Sequence, residues 1–175
     1  MSAVWPLTVR LADVDRGPVR LKPEVDSETR ARIAEAIGVD ALGVLNAEAT
    51  LKTWLDGAEL QARVRAVATQ TCGVSLEPFE APLEAVFTLH LLPPGSPHAP
   101  PTEGPDIAID PEADDPPEVL ESETIDLGGY LVEHLALEVD PFPRKPGAVF
   151  EQPGDREVIS PFAALAVLKD RKDPH

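Results

Sequence analysis

The sequence predicts an α+β fold, in which an antiparallel sheet with a meander core packs against two or three helices. Three consecutive segments alternate apolar and polar residues with period 2. Such alternation gives a strand one apolar and one polar face, which is typical of antiparallel sheets. Other segments carry apolar residues at helical spacing. Helices of this kind cover the apolar face of a sheet.

The N-terminal elements are predicted to be short. Residues 6–13 alternate in the manner of a strand, and Val19, Leu21 and Val25 indicate a second strand that Pro23 interrupts. Ser27 is predicted to cap a helix over about residues 28–37, which ends at a glycine.

Three longer strands are predicted at about residues 45–55, 59–69 and 83–92. A hairpin turn at Asp56-Gly57 joins the first two, because a positive φ costs little at glycine. The core-facing positions are Leu45, Ala47, Ala49, Leu51, Leu55, Leu60, Ala62, Val64, Ala66, Ala68, Leu83, Ala85, Phe87, Leu89 and Leu91.

Two more helices are predicted nearer the C-terminus. Asp126 is expected to cap the first, which is weakened by Gly128-Gly129 and ended by the prolines at 141 and 143. Its apolar positions are Leu127, Leu131, Leu135 and Val139. Ser160 and Pro161 begin the second. Its apolar stripe is Phe162, Leu165, Ala166 and Leu168, followed by Lys169, Arg171 and Lys172.

The length and composition favour one domain over residues 1–175. The chain has 43% apolar residues but no run of 18, so we expect no membrane-spanning helix. The first ten residues lack the apolar centre of a secretion signal, and one cysteine excludes an intrachain disulfide. We therefore expect a cytoplasmic protein.

The negative charge is concentrated in the middle of the chain. The formal net charge is −16, and residues 66–143 contain sixteen acids and no lysine or arginine. Residues 93–123 contain nine acids and nine prolines, which disfavour both helix and strand. The sequence predicts a flexible, exposed loop at about 93–123. It is either a solvated insert or an acidic arm that meets a basic partner.

The residues indicate no catalytic centre, cofactor or metal site. Cys72 is the one thiol, and none of the four histidines stands at an informative spacing from it. We expect a buried thiol at a strand end. The sequence also lacks a histidine pair at i, i+4, a calcium loop and a phosphate-binding glycine loop.

Three segments do resemble a known family. They read TQTCGVSLEPF at 69–79, IDLGGYLVEHLAL at 125–137 and SPFAALAVLK at 160–169. In this order they resemble the YceD family, the large ribosomal RNA subunit accumulation proteins. The positions that carry the resemblance, without an implied role, are Cys72, Leu76, Glu77, Pro78, Phe79, Asp126, Leu127, Pro161, Phe162, Leu165, Leu168 and Lys169.

The chain departs from the family pattern at its cysteines. Many members have a second cysteine three residues after the first and more before the final helix. Here Ser75 takes the second place, and residues 141–150 contain no cysteine. Serine is a poor zinc ligand, so no metal site is carried over.

The resemblance implies a role in the synthesis, processing or stability of bacterial large-subunit ribosomal RNA, and no catalytic residue. The net charge disfavours tight RNA binding, since each phosphate contact needs a cation. A local basic face remains possible at Arg10, Arg16, Arg20, Lys22, Arg30 and Arg32, or at Lys169, Arg171 and Lys172. We favour a basic ribosomal protein or pre-ribosomal large subunit as the partner. A generic acidic adaptor and a hydrolase that uses Cys72 are the alternatives.

Overall fold

The computed structural model describes residues 3–100 and 115–150. The elements in chain order are β1 Val9–Arg10, α1 Leu11–Val14, β2 Val19–Leu21, α2 Ser27–Ile37, β3 Ala41–Trp54, β4 Gly57–Thr71, β5 Pro78–Leu92, β6 Glu118–Val119, β7 Thr124–Ile125 and α3 Leu127–Leu137. The predicted helix that begins at Ser160 lies outside the described residues.

One sheet of five strands organises the molecule, in the order β2-β3-β4-β5-β6. Strands β3, β4 and β5 pair antiparallel along nearly their whole length and form the predicted meander. The short β2 adds antiparallel to β3, and β6 adds parallel to β5. Strands β1 and β7 form a separate antiparallel pair. The predicted α+β class and its meander core are confirmed.

The core lies between the inner face of the sheet and the helices. Leu51, Leu60 and Val64 are fully buried on the sheet, and Leu131 and Ile33 are fully buried on α3 and α2. The period-2 alternation explains this arrangement, because every second residue of β3 and β4 points to the same face. We call the opposite, exposed side of the sheet the outer face.

The N-terminal prediction is wrong in part. A strand was expected over residues 6–13, but only Val9 and Arg10 form one, and Leu11 begins a single helical turn. Leu11 and Val14 are both buried, and their spacing of three places them on one side of that turn. The short alternating pattern could not distinguish this turn from a continued strand.

The predicted cap of α2 is wrong by one residue. Asp26, rather than Ser27, is the N-cap, and its carboxylate accepts a hydrogen bond from the backbone N–H of Thr29 at 2.7 Å. This bond also lowers the pKa of Asp26. The end of the helix is confirmed, since Gly38 adopts the left-handed conformation there.

The hairpin between β3 and β4 lies at the predicted place but uses different residues. Leu55 and Asp56 form the turn, and Leu55 takes the positive φ of 51°. Leu55 is exposed, so the prediction that it faces the core is wrong. Gly57 belongs to β4, where a Cβ atom would lie 2.0 Å from the carbonyl oxygen of Leu91. The glycine is therefore required by close packing against β5.

The described ends of the acidic segment 93–123 are more structured than predicted. Residues Glu118–Val119 form β6 on the sheet edge, and Leu120 is buried. At the other end, Ser96 is buried and its hydroxyl donates to the Asp56 carboxylate at 2.9 Å. The prediction of an exposed loop is therefore wrong at Ser96 and Leu120, which are buried. Residues 101–114 lie outside the described residues.

Helix α3 begins where the sequence predicts. The Asp126 carboxylate accepts from the backbone N–H of Gly129 at 3.0 Å, which confirms the cap. The helix ends at Leu137, before the prolines that were expected to end it, and Val139 lies beyond it. None of the helices in the described part of the chain is long and apolar enough to cross a membrane.

Candidate functional site

Cys72 lies in a tight turn directly after β4, and its side chain has no exposed surface. The turn is closed by two backbone hydrogen bonds of 2.9 Å, from Cys72 N–H to the carbonyl of Glu77 and from Leu76 N–H to the carbonyl of Cys72. Leu76 adopts a left-handed φ of 57°, which a branched side chain rarely does, and remains exposed. The buried thiol at a strand end is confirmed.

The sulfur of Cys72 accepts three backbone hydrogen bonds. The donors are the N–H groups of Val74 at 3.4 Å, Ser75 at 3.4 Å and Lys145 at 3.3 Å. The Ser75 side chain and these backbone donors together lower the pKa of the Cys72 thiol to about 6. These hydrogen bonds are stronger to the charged thiolate than to the neutral thiol, so they stabilise the thiolate. The arrangement can therefore hold a thiolate at neutral pH.

Residues 141–150 are bound to the Cys72 turn by hydrogen bonds. The N–H of Gly73 donates to the carbonyl of Pro143 at 2.9 Å, and the Lys145 ammonium donates to the Glu77 carboxylate at 2.8 Å. This pairing lowers the pKa of Glu77 and raises that of Lys145. Both charges are exposed, so the pair fixes geometry more than it stabilises the fold.

Neither His90 nor His134, the two histidines near the sheet, acts as a base for Cys72. His90 stacks on Trp54 with ring centroids 4.2 Å apart, and His134 stacks on Phe87 at 3.7 Å. Within the described residues, the groups that hydrogen-bond to the sulfur are backbone N–H groups and the side chain of Ser75, and none of them is a general base. Nor do residues 3–100 and 115–150 bring three His, Cys, Asp or Glu side chains together in a way that could hold a metal ion.

The Cys72 environment predicts a pH-dependent stability. The unfolded thiol has a pKa near 8.5 and the folded one a pKa of about 6, so the unfolded state binds more protons between these values. The free energy of unfolding should therefore rise as the pH rises from about 6 to 9, and this contribution should be lost below pH 6. Denaturant titrations at several pH values measure it. Cys72→Ser should remove the rise, and an equal rise in that variant would contradict the assignment.

A second feature of the molecule is an acidic surface formed by α3 and the strands before it. We use this name for the exposed carboxylates of residues 115–140, of which Glu118, Asp126 and Glu133 all act on Tyr130; the others are Asp115, Glu121, Glu123, Glu138 and Asp140. No lysine or arginine occurs between residues 115 and 143, and the base placed beside this segment by β1 is Arg10, opposite Thr124. A surface of one sign creates a field that attracts an oppositely charged partner.

Tyr130 marks the centre of this acidic surface. Its hydroxyl donates to the Glu118 carboxylate at 2.7 Å, which connects α3 to β6. Its pKa is raised by burial, then by this hydrogen bond, and further by the charges of Glu118, Glu133 and Asp126. Glu118, Glu133 and Asp126 therefore lie close enough to one another to act on the same group.

The outer face of the sheet has the opposite character, since lysine and arginine are interspersed with acids there. Several of its cations are paired: Lys52 with Glu59 at 3.8 Å, and Arg63 and Arg65 with Glu84 at 3.4 and 3.0 Å. Lys22 pairs with Glu48 at 2.7 Å. Most lysines and arginines of the outer face are thus paired with acids, whereas residues 115–143 contribute acids and no lysine or arginine.

The residues singled out by the sequence do not form one site. Cys72, Leu76 and Glu77 belong to the turn, while Pro78 and Phe79 begin β5. Asp126 and Leu127 lie at the start of α3, whereas the Cys72 turn contacts the chain beyond its end, at Pro143 and Lys145. Pro161, Phe162, Leu165, Leu168 and Lys169 lie outside the described residues.

Sequence reasoning missed Lys145, Tyr130 and Glu118. Lys145 donates to the sulfur through its backbone N–H, a group that every residue except proline has, so no sequence signal marks it. Tyr130 occupies a helix position whose neighbours on β6 are distant in sequence. A side-chain hydrogen bond between two separate elements produces no periodic pattern in the sequence around either residue.

The fold and these features define an acidic α+β protein with exposed carboxylates on and around α3. The profile of the family described as "Large ribosomal RNA subunit accumulation protein YceD" matches residues 60–169. This match covers more than half of the chain, so the chain belongs to the YceD family. Comparisons with curated proteins and with solved structures gave no significant match.

Proposed function

We propose that this protein is a non-enzymatic, cytoplasmic ribosome-biogenesis factor that acts by binding a basic ribosomal protein or a pre-ribosomal large subunit. The family description supplies the link to accumulation of the large ribosomal RNA subunit. The observation that carries the proposed mode of action is the acidic surface around Tyr130. Ribosomal proteins are basic, and complementary charge accelerates the encounter of two partners and suppresses wrong ones.

Charge distribution favours a protein partner over direct contact with RNA. RNA binding needs cations that are free to meet phosphates. Lys52, Arg63 and Arg65 instead pair with carboxylates on the outer face. The acidic surface would repel a phosphate backbone and attract a cationic protein.

Three neutralised acids test the proposed surface. Glu121, Glu123 and Glu133 are exposed, and their side chains take no part in the hydrogen bonds or ion pairs of the described residues. Replacing all three with glutamine should slow association with large-subunit ribosomal proteins about tenfold at low salt and weaken the dependence on salt concentration. Stopped-flow association with each purified ribosomal protein, at several salt concentrations, measures this effect.

The matched control neutralises three exposed acids elsewhere, by Glu24→Gln, Glu35→Gln and Glu80→Gln. It changes the net charge equally but leaves the acidic surface intact, so it should slow association much less. Equal slowing by both variants would show that only net charge matters. In cells, a deletion strain should have less large-subunit than small-subunit ribosomal RNA, and only the control variant should restore the ratio fully. A normal ratio in the deletion strain would leave a generic adaptor as the better account.

A further inference from the structure

A groove runs along α3, between that helix, the end of α2 and the N-terminal residues 3–5. We call it the α3 groove. Its volume is about 520 Å³, which is within the range of sites that hold a ligand or a side chain of another molecule. Most of its lining is apolar, and the larger apolar residues in it are Val4, Trp5, Ile37 and Val132. It is therefore an open apolar groove on the helical side of the molecule.

Backbone contacts hold two walls of the α3 groove together. The N–H of Gly128 donates to the carbonyl of Leu7 at 2.8 Å, and a Cβ atom at Gly128 would overlap the carbonyl oxygen of Trp5. The N-terminal segment therefore lies directly against the backbone of α3. A groove whose walls are already ordered binds an occupant with little further loss of conformational entropy.

Negative charge edges the α3 groove. Asp126 and Glu133 belong to its lining, which contains no lysine or arginine. The Asp126 carboxylate is also the N-cap of α3, and Glu133 is exposed. Both residues are part of the acidic surface, so the groove opens within that surface. An apolar groove with an acidic edge complements an apolar side chain that has a cation beside it.

We propose that the α3 groove binds an apolar side chain of a basic ribosomal protein, from a segment in which lysine or arginine neighbours that side chain. This inference rests on the proposed function and names the place on the acidic surface where the partner is held. The apolar side chain is buried against Trp5 and Val132, and the cation lies beside Glu133. Charge then speeds the encounter, whereas the buried contact slows dissociation.

Filling the groove tests the proposal. Ala36 lines the groove and is exposed, so Ala36→Trp adds a large side chain there without a change of charge. Binding to each purified large-subunit ribosomal protein is followed by stopped-flow mixing and by displacement. For the protein that the unmodified chain binds, we expect an unchanged association rate and a dissociation rate about tenfold higher. Val132→Ser, which removes apolar lining and adds no volume, should raise the dissociation rate about threefold.

The matched control is Ala31→Trp. Ala31 is exposed on the same helix but does not line the groove, so both rates should stay as they are in the unmodified chain. Salt provides a further comparison, because it screens exposed charges and leaves an apolar contact in place. At high salt the unmodified chain and Ala31→Trp should keep a residual affinity that Ala36→Trp lacks. Glu133→Gln should instead lower the association rate and its dependence on salt.

Equal dissociation rates for Ala36→Trp and Ala31→Trp would overturn the proposal. Binding to large-subunit precursors but to no isolated ribosomal protein would also overturn it and leave the proposed function standing, whereas binding to neither would overturn both. A lower melting temperature of free Ala36→Trp than of free Ala31→Trp, with unchanged partner kinetics, would mean that this chain itself fills the groove. Self-association that Ala36→Trp abolishes in sedimentation would indicate a second copy. Either occupant would contradict the proposal.

Discussion

Val64→Asp is expected to unfold a large fraction of the protein. Val64 is fully buried on the inner face of β4, where it pairs with Ala47 on β3 and Ala85 on β5. A carboxylate there would be charged without a partner, and the loss should be about 4 kcal/mol or more. That is a large part of the stability of a typical domain. Thermal or urea unfolding measures it.

The control for this substitution lies on the outer face. Thr88 is exposed on β5, so Thr88→Asp places the same group in water and should change stability by at most about 1 kcal/mol. Similar melting of the two variants would mean that the two faces of the sheet are wrongly assigned. A wild-type melting curve for Val64→Asp alone would mean that Val64 is not in the core.

The period-2 pattern allowed the inner face of the sheet to be predicted. Successive side chains of a strand point to opposite faces, so apolar residues at every second position mark the buried face. Leu51, Leu60 and Val64 are buried as the alternation requires. Residues such as Gly57 were misinterpreted for a different reason. The pattern indicates whether a side chain is buried or exposed. The close approach of Leu91 to Gly57 is a tertiary contact between strands far apart in sequence, and the pattern carries no information about it.

The candidate site was less predictable than the sheet. The sequence located the Cys72 turn and the excess of acids, because composition and a family pattern carry that information. The three donors around the sulfur could not be predicted, since Lys145 is brought there by the path of the chain after α3. The same holds for Tyr130 and Glu118, which meet only once β6 has joined the sheet.

Gly128→Ala is expected to destabilise the protein, although alanine is the better helix former. In an isolated helix the change would stabilise by about 1 kcal/mol. Here a Cβ atom on Gly128 would lie 1.9 Å from the carbonyl oxygen of Trp5, which is backbone and cannot move away alone. The Gly128 N–H also donates to the carbonyl of Leu7 at 2.8 Å, so the two segments are held together. The resulting overpacking should cost about 2–3 kcal/mol.

A second glycine provides the comparison. At Gly43 the nearest atom to an added Cβ is the carbonyl oxygen of Val67 at 3.8 Å, an ordinary contact. Gly43→Ala should therefore change the free energy of unfolding by less than about 1 kcal/mol. Chemical denaturation of both variants gives the difference. A stabilised Gly128→Ala variant would show that helix propensity, rather than contact with Trp5, decides at this position.

The hydrogen bond of 2.8 Å from the N–H of Leu120 to the carbonyl of Leu92 has a consequence for how this chain can change over evolution. It joins the two ends of the acidic connection beside two buried leucines, and within the connection Ser96 and β6 are also bound to the rest of the fold. The entropy of closing a loop grows only with the logarithm of its length, and doubling the length costs about 0.6 kcal/mol. Insertions between Ser96 and β6 should therefore cost the fold little, provided that Ser96 and β6 keep their contacts. The length and charge of the connection can drift, or adapt to a partner, while the sheet stays the same.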